Sequence, residues 1–198
     1  HLKDESGYVD EAVEEALRLA EKSAGSLEIS HLKAQGRANW HLLNRCFQKI
    51  KAARDKGLNI HCDRYPYTVS STGLDILLPA WVYQGGEEKE LRRLARPETR
   101  ERLKREITKD DWDSVVISRV SEASNKHLEG KKMTEVAKIR RSNPLDCLFD
   151  LLREEKLKVD ALFFSLSGEN LKRVLIQQYC MVGSDSSAKA DYVVLREG

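Results

Sequence analysis

Amphipathic helix and short strand alternate through the first third of this sequence, and that alternation narrows the fold more than any other feature. Residues 9–24 set Val9, Ala12, Val13, Ala16, Leu17 and Ala20 on one helical face, and Gly25 stops the helix. The run 27–30 then reads as a strand, cut short by Lys33 and Gly36. A second helix is predicted over about 40–55 from the stripe Trp40, Leu43, Cys46, Phe47, Ile50 and Ala53, closing at Lys56-Gly57. Residues 58–62 return as a strand. Repetition at this spacing favours parallel strands with helices outside them. An open doubly wound sheet and a (β/α) barrel both satisfy it.

Beyond residue 64 the pattern loosens. Pro66 and Gly73 make 65–73 a loop, and the apolar stretch 74–83, with Pro79 and Trp81, reads as a short helix or a pocket wall. Residues 87–107 form a charged helical pair broken near Pro97, with a solvated outer face. Val115, Val116 and Ile117 mark a strand, and 133–139 a short helix. Asn143-Pro144 opens another helix, over 144–154, as an N-cap followed by a first-turn proline. A strand over 159–164, a helix over 169–178 and a strand over 180–182 follow, the last delivering the small-residue loop 183–187. The end of the chain, DYVVLREG, reads as an edge strand or a piece of a second sheet.

Composition removes several classes. The 198 residues, 40% of them hydrophobic, suffice for one compact core. Thirty-four basic and 32 acidic residues are interspersed to a net charge of +2, so nothing favours a nucleic-acid partner. No apolar run reaches the length needed to span a bilayer, which points to a soluble protein. Four scattered cysteines without a CxxC pair read as buried thiols of a reduced, cytoplasmic setting. The sequence starts at His1 with no initiator Met, so further chain is expected ahead of it.

Chemistry-bearing residues collect at the predicted strand ends. His31 closes the first strand and Lys33 follows two residues later; a side chain at a parallel strand's end is held rigidly while the loop beyond admits a ligand. Neutral imidazole suits zinc, so His1 and His31 are metal candidates, although a strand-end histidine also serves as a hydrogen-bonded structural group. His61 shares strand parity with Asp63 and Tyr65 and is a weaker candidate, while His41 and His127 read as surface or capping residues. Lys33 suits a substrate carboxylate or plain solvation. Asp185 suits a general base or an Asx-turn.

Taken together, four segments in order carry a resemblance: His1-Leu-Lys-Asp-Glu5; Ile29-Ser-His-Leu-Lys33 with Gly36-Arg-Ala-Asn-Trp40; Asp63-Arg-Tyr-Pro-Tyr67 with Ser70-Ser-Thr-Gly73; and Val182-Gly-Ser-Asp185. The sequence resembles the N-acyl-D-amino-acid deacylase (D-aminoacylase) branch of the amidohydrolase superfamily. The resemblance implies an α/β fold, a partial (β/α)8 TIM barrel carrying an inserted α/β subregion. Residues 1–86 would then be barrel βα units, 87–145 an insertion covering the active site, and 146–188 the final βα units. Residues 189–198 are unassigned, or a strand of a β-sandwich. It further implies zinc held by His1 and His31, a substrate carboxylate held by Lys33, Tyr65 and Ser71, and Asp185 as the catalytic acid/base. The implied reaction is hydrolysis of N-acyl-D-amino acids, with a cyclic-amide hydrolase or a non-catalytic binding module as alternatives. Family members also need an HxH pair and a bridging ligand on early barrel strands. Neither is present here, so a missing N-terminal half or another chain is expected to complete the barrel.

Overall fold

A computed structural model describes residues 1–23, 25–108 and 111–186, which fall into two units. The expectation for residues 189–198 lies outside the described residues. Among the described residues, one unit comprises His1–Val69 together with residues 165–186, and the other Ser70–Phe164.

The first unit opens with helix α1 (Val9–Ser23), which buries Val9, Ala12, Val13, Leu17 and Ala20. Asp10 and Glu11 in its first turn and Lys22 in its last complement the helix dipole. Strand β1 (Leu27–Ile29) follows. The expected second helix arrives in two parts, a 3-10 turn over Arg37–Leu42 and then α2 (Leu43–Asp55), because Gly36, at φ +84°, turns the chain sharply just before it. Gly57, at φ +90°, ends α2 where a C-terminal glycine was expected.

Strand β2 (Ile60–Arg64) pairs in parallel with β1 on one side. On its other side it pairs in parallel with a late strand that is numbered below as β6 (Cys180–Val182). The order is therefore β1-β2-β6, the parallel arrangement that the alternation favours. Ile29, Leu32, Leu43, Cys46, Ile50, Ile60, Cys62 and Val174 form the core beneath it. Each such aliphatic side chain contributes about 1.5–3 kcal/mol on leaving water.

The second unit departs from the parallel expectation. Residues 70–73, expected in a loop, form strand β3 (Ser70–Gly73), and with β4 (Val115–Arg119) and β5 (Asp160–Phe163) they make an antiparallel sheet of order β3-β5-β4. The stretch 74–83 is a pair of 3-10 turns rather than one helix. Helices α3 (Glu87–Leu94) and α4 (Pro97–Glu106) are the charged pair broken at Pro97. Helix α5 (Met133–Arg140) and helix α6 (Pro144–Glu154) follow, and Asn143 caps α6 through Asp146 N–H at 2.9 Å. Phe149, Leu148, Leu152, Val115, Ile117 and Ala161 are fully buried in this unit's core. Helix α7 (Gly168–Leu175) returns the chain to the first unit, capped by Ser167, and β6 completes the first sheet.

Both sheets have three strands, and no closed barrel is present among the described residues. The fold is mixed α/β, consistent with part of an amidohydrolase-type barrel. No described helix is long and apolar enough to cross a membrane.

Candidate functional site

Where β1 ends, the chain turns through His31 with φ +44°, a left-handed conformation unusual for a residue with a Cβ. Its amide donates to Asp63 Oδ1 at 2.8 Å, and the next amide, of Leu32, donates to the Asp63 carbonyl at 2.9 Å. The loop beyond is pinned from behind. Gly36 N–H and the Trp40 indole both donate to the Ser165 carbonyl, at 3.0 and 2.9 Å, and the Asn170 amide donates to the Trp40 carbonyl at 2.8 Å.

The turn carries the His31 imidazole into a polar cluster while leaving only 7% of the residue exposed. Nε2 lies 2.6 Å from His1 Nδ1, the two rings being tilted by 50° with centroids 4.6 Å apart. Nδ1 lies 2.8 Å from Glu5 Oε1 and 2.7 Å from Lys33 Nζ. Glu5 Oε2 is in turn 2.8 Å from Lys33 Nζ and accepts from the Gln35 amide at 3.0 Å. Nδ1 serves one neighbour at a time: protonated it donates to Glu5, unprotonated it accepts from Lys33. The first tautomer leaves the Nε2 lone pair facing His1, the state in which an imidazole binds a metal with a carboxylate behind it.

Burial sets the electrostatics. It pushes the Glu5 carboxyl up, but the hydrogen bond with His31 and the Lys33 charge together outweigh it, leaving the group below its ordinary value. Lys33, 6% exposed, is lowered by the same loss of water; Glu5 partly restores it, while the nearby Arg64 adds repulsion. Tyr65, 1% exposed, is raised by burial, and its ring lies 3.8 Å from the Arg64 guanidinium carbon and 5.7 Å from Lys33 Nζ. Arg64 is itself buried, donates from Nη2 to the Tyr67 carbonyl at 3.0 Å, and finds no hydrogen-bond partner for Nη1 among the described residues. Asp185 stands exposed just past β6 with φ +51°, close enough for its charge to act on Lys33 and Tyr65.

The first unit thus gathers five of the six residues singled out in the sequence: His1, His31, Lys33, Tyr65 and Asp185. Ser71 belongs to the other unit, half-buried on β3 opposite Leu162. His61 bonds Asn59 Oδ1 at 2.9 Å, and His41 and His127 are exposed on 3-10 turns. Three contributors escaped the sequence reading. Glu5, Asp63 and Arg64 all stood inside the quoted motifs without a role. Only parity along β2, which makes position 64 a buried one, could have flagged Arg64.

Zinc, the group implied by the resemblance, finds two converging imidazoles here. Two nitrogens each about 2.0–2.1 Å from a tetrahedral zinc ion stand about 3.3 Å apart, so the rings need only a small separation to share one. Among the described residues no group of three or more His, Cys, Asp or Glu side chains could hold a metal ion. His1 and His31 therefore fit as two ligands of a larger set.

No family model matches the chain. It is 26% identical over 187 residues to an N-acyl-D-glutamate deacylase of Alcaligenes xylosoxydans xylosoxydans, a match covering 93% of this chain and 30% of that protein. Among solved structures it is similar to the N-acyl-D-glutamate deacylase of Bordetella bronchiseptica, complexed with zinc and a phosphonate inhibitor. There the TM-score is 0.69 at 23% identity, over 93% of this chain and 31% of that one. A D-aminoacylase described as defining a novel subset of amidohydrolases gives a TM-score of 0.65 at 23% identity, with the same coverage. The fold is accordingly that of part of an amidohydrolase. Over nearly its whole length the chain is similar to N-acyl-D-amino-acid deacylases. It spans about a third of the length of these proteins.

Proposed function

We propose that the chain carries part of the catalytic centre of a zinc-dependent, cytoplasmic hydrolase that cleaves the amide bond of N-acyl-D-amino acids, releasing a carboxylate and a D-amino acid. The observation that carries this reading is the His1–His31 imidazole pair at a parallel strand's end, with Glu5 and Lys33 behind it. His1 and His31 would hold the zinc, and ligands outside these residues complete the set. Hydrolysis is thus a property of a longer protein that includes this chain. The metal supplies Lewis acidity at the amide carbonyl and lowers the pKa of water at the same centre.

The chain's own residues do the rest. Glu5 accepts the hydrogen bond from His31 Nδ1–H and so keeps the Nε2 lone pair available. Lys33, desolvated but still facing Glu5, binds the substrate's α-carboxylate by a charge-assisted contact, with Tyr65 beside it. Ser71 is assigned to the same carboxylate on the family resemblance alone. Asp185, on the loop after β6, accepts the proton lost by the attacking water and returns it to the leaving amine. Four free thiols suit a reducing compartment.

The test is a deacylase assay on the full-length protein with N-acetyl-D-glutamate, its L-enantiomer and a cyclic amide, for the parent and for Asp185→Asn. Turnover of the D-substrate alone, lost in Asp185→Asn with zinc content unchanged, is the expected result. Preference for the cyclic amide, turnover untouched by zinc removal, or near-normal turnover by Asp185→Asn would overturn the reading.

A further inference from the structure

Two residues assigned to the proposed centre, His31 and Asp185, have left-handed backbones, at φ +44° and +51°. Neither is glycine, and such conformations persist only where the surroundings hold them. Both follow strands that flank β2, and one residue of β2 reaches the start of each turn.

That residue is Asp63. Its Oδ1 takes the His31 amide and its carbonyl takes the Leu32 amide, so two successive N–H groups of the turn end on a single residue. On the other side Asp63 is the register partner of Met181. A Cβ added to Gly183 would stand 3.7 Å from the Asp63 Cβ, Cγ and Oδ1, so the Asp63 side chain lies about a methyl group's width from the first residue of the loop that leads to Asp185. The Gly183 amide also donates to the carbonyl of the neighbouring Arg64, at 3.2 Å.

We propose that Asp63 is a positioning residue: acting through the His31 amide, its carboxylate fixes the left-handed turn that aims the His31 imidazole at His1 and Glu5. The part of this that concerns metal rests on the function proposed above. The turn geometry does not.

Without the carboxylate, the His31 amide loses its acceptor and the backbone relaxes toward negative φ. The imidazole then swings away from His1, and the two nitrogens no longer converge. Asparagine at position 63 keeps an oxygen where Oδ1 stands and so preserves the turn without the charge.

The experiment uses the full-length protein that includes this chain, isotope-labelled for NMR and titrated with cobalt(II) as a spectroscopic stand-in for zinc. It compares the parent with Asp63→Ala and Asp63→Asn, and with Ile50→Val, which trims a core side chain of the same unit away from the turn. In Asp63→Ala, amide exchange at His31 is expected to accelerate about tenfold or more, with loss of the His1–His31 ring-to-ring NOE. Cobalt(II) affinity should fall by about tenfold or more in the same variant. Asp63→Asn restores all three to within about threefold, and Ile50→Val changes none of them beyond its global stability. Parent-like exchange and NOE in Asp63→Ala, or the same losses in Ile50→Val, overturn the proposal. If Asp63→Ala does not fold, Asp63→Glu keeps the charge and moves the acceptor by one methylene. It should show the same release of His31, and parent-like protection there overturns the proposal. If the parent itself binds no cobalt(II), the metal reading fails, while exchange and NOE still decide the role of Asp63.

Discussion

Replacing Glu90 by glutamine is expected to stabilise the second unit at pH 8 and to leave it nearly unchanged at pH 5. Glu90 sits in the first turn of α3 with 4% of its surface exposed, and its Oε1 has no hydrogen-bond partner among the described residues. Burial, reinforced by the charges of Asp75 and Glu87 and only partly relieved by Arg93, pushes its carboxyl from the ordinary 4.5 up to about 7. The folded chain therefore holds this proton where the unfolded chain has lost it. Stability contributed by the neutral acid is present at low pH and drains away as pH rises from about 4.5 to about 7. At about 1.4 kcal/mol per tenfold change in proton affinity, the gap sets a ceiling of about 3.4 kcal/mol. Solvent reaching the helix start screens part of this, and about 2 kcal/mol is expected. Trp81 and Trp112 lie in the same unit and Trp40 in the other, so urea unfolding followed by tryptophan emission in a Trp40→Phe background reports on the unit that holds Glu90. The parent-to-variant difference should grow by about 2 kcal/mol between pH 5 and pH 8. A difference that is constant, or larger at pH 5, refutes the reasoning.

Three other changes test the packing and capping described above. Glu155, 1% exposed, accepts the amides of Ser121 and Glu122 and the Asn125 side chain, so Glu155→Ala should cost about 3 kcal/mol in urea unfolding, and Glu155→Gln distinctly less. Phe149→Ala empties the centre of the second unit's core and should cost about 3–5 kcal/mol by the same measurement. Asn143→Ala removes the cap of α6 and should cost about 1 kcal/mol, with Asn143→Ser recovering most of it.

Periodicity made the helices and the first sheet legible. The apolar stripes of α1 and α2 lie where they bury side chains, and the Asn-Pro opening of α6 was a local chemical signal. Residues 70–73 were not legible as a strand. Ser-Ser-Thr-Gly has no apolar alternation, and what makes it β3 is the ladder to β5, some ninety residues away in sequence. The antiparallel second sheet was hidden for a related reason, since apolar runs such as Val115–Ile117 fit parallel and antiparallel neighbours alike. At the site, His31 and Lys33 were visible as reactive types at a strand end. The residues that orient them were not, because a carboxylate's task depends on which amide or imidazole it meets after folding. Asp63 is 32 residues from the amide it holds.

Strand β2 has a consequence for how the first sheet assembles. Its buried positions are Ile60, Cys62 and Arg64, alternating with His61 and Asp63. Sliding it by one residue against β1 would send His61 and Asp63 into the apolar layer and turn Arg64, a pure hydrogen-bond donor, toward the donor amide of His31. A slipped pairing would thus be rejected twice, once by burial and once by donor meeting donor. The charged end of β2 proofreads the register of the sheet as it forms, and the alignment that survives is the one that sets the His31 turn.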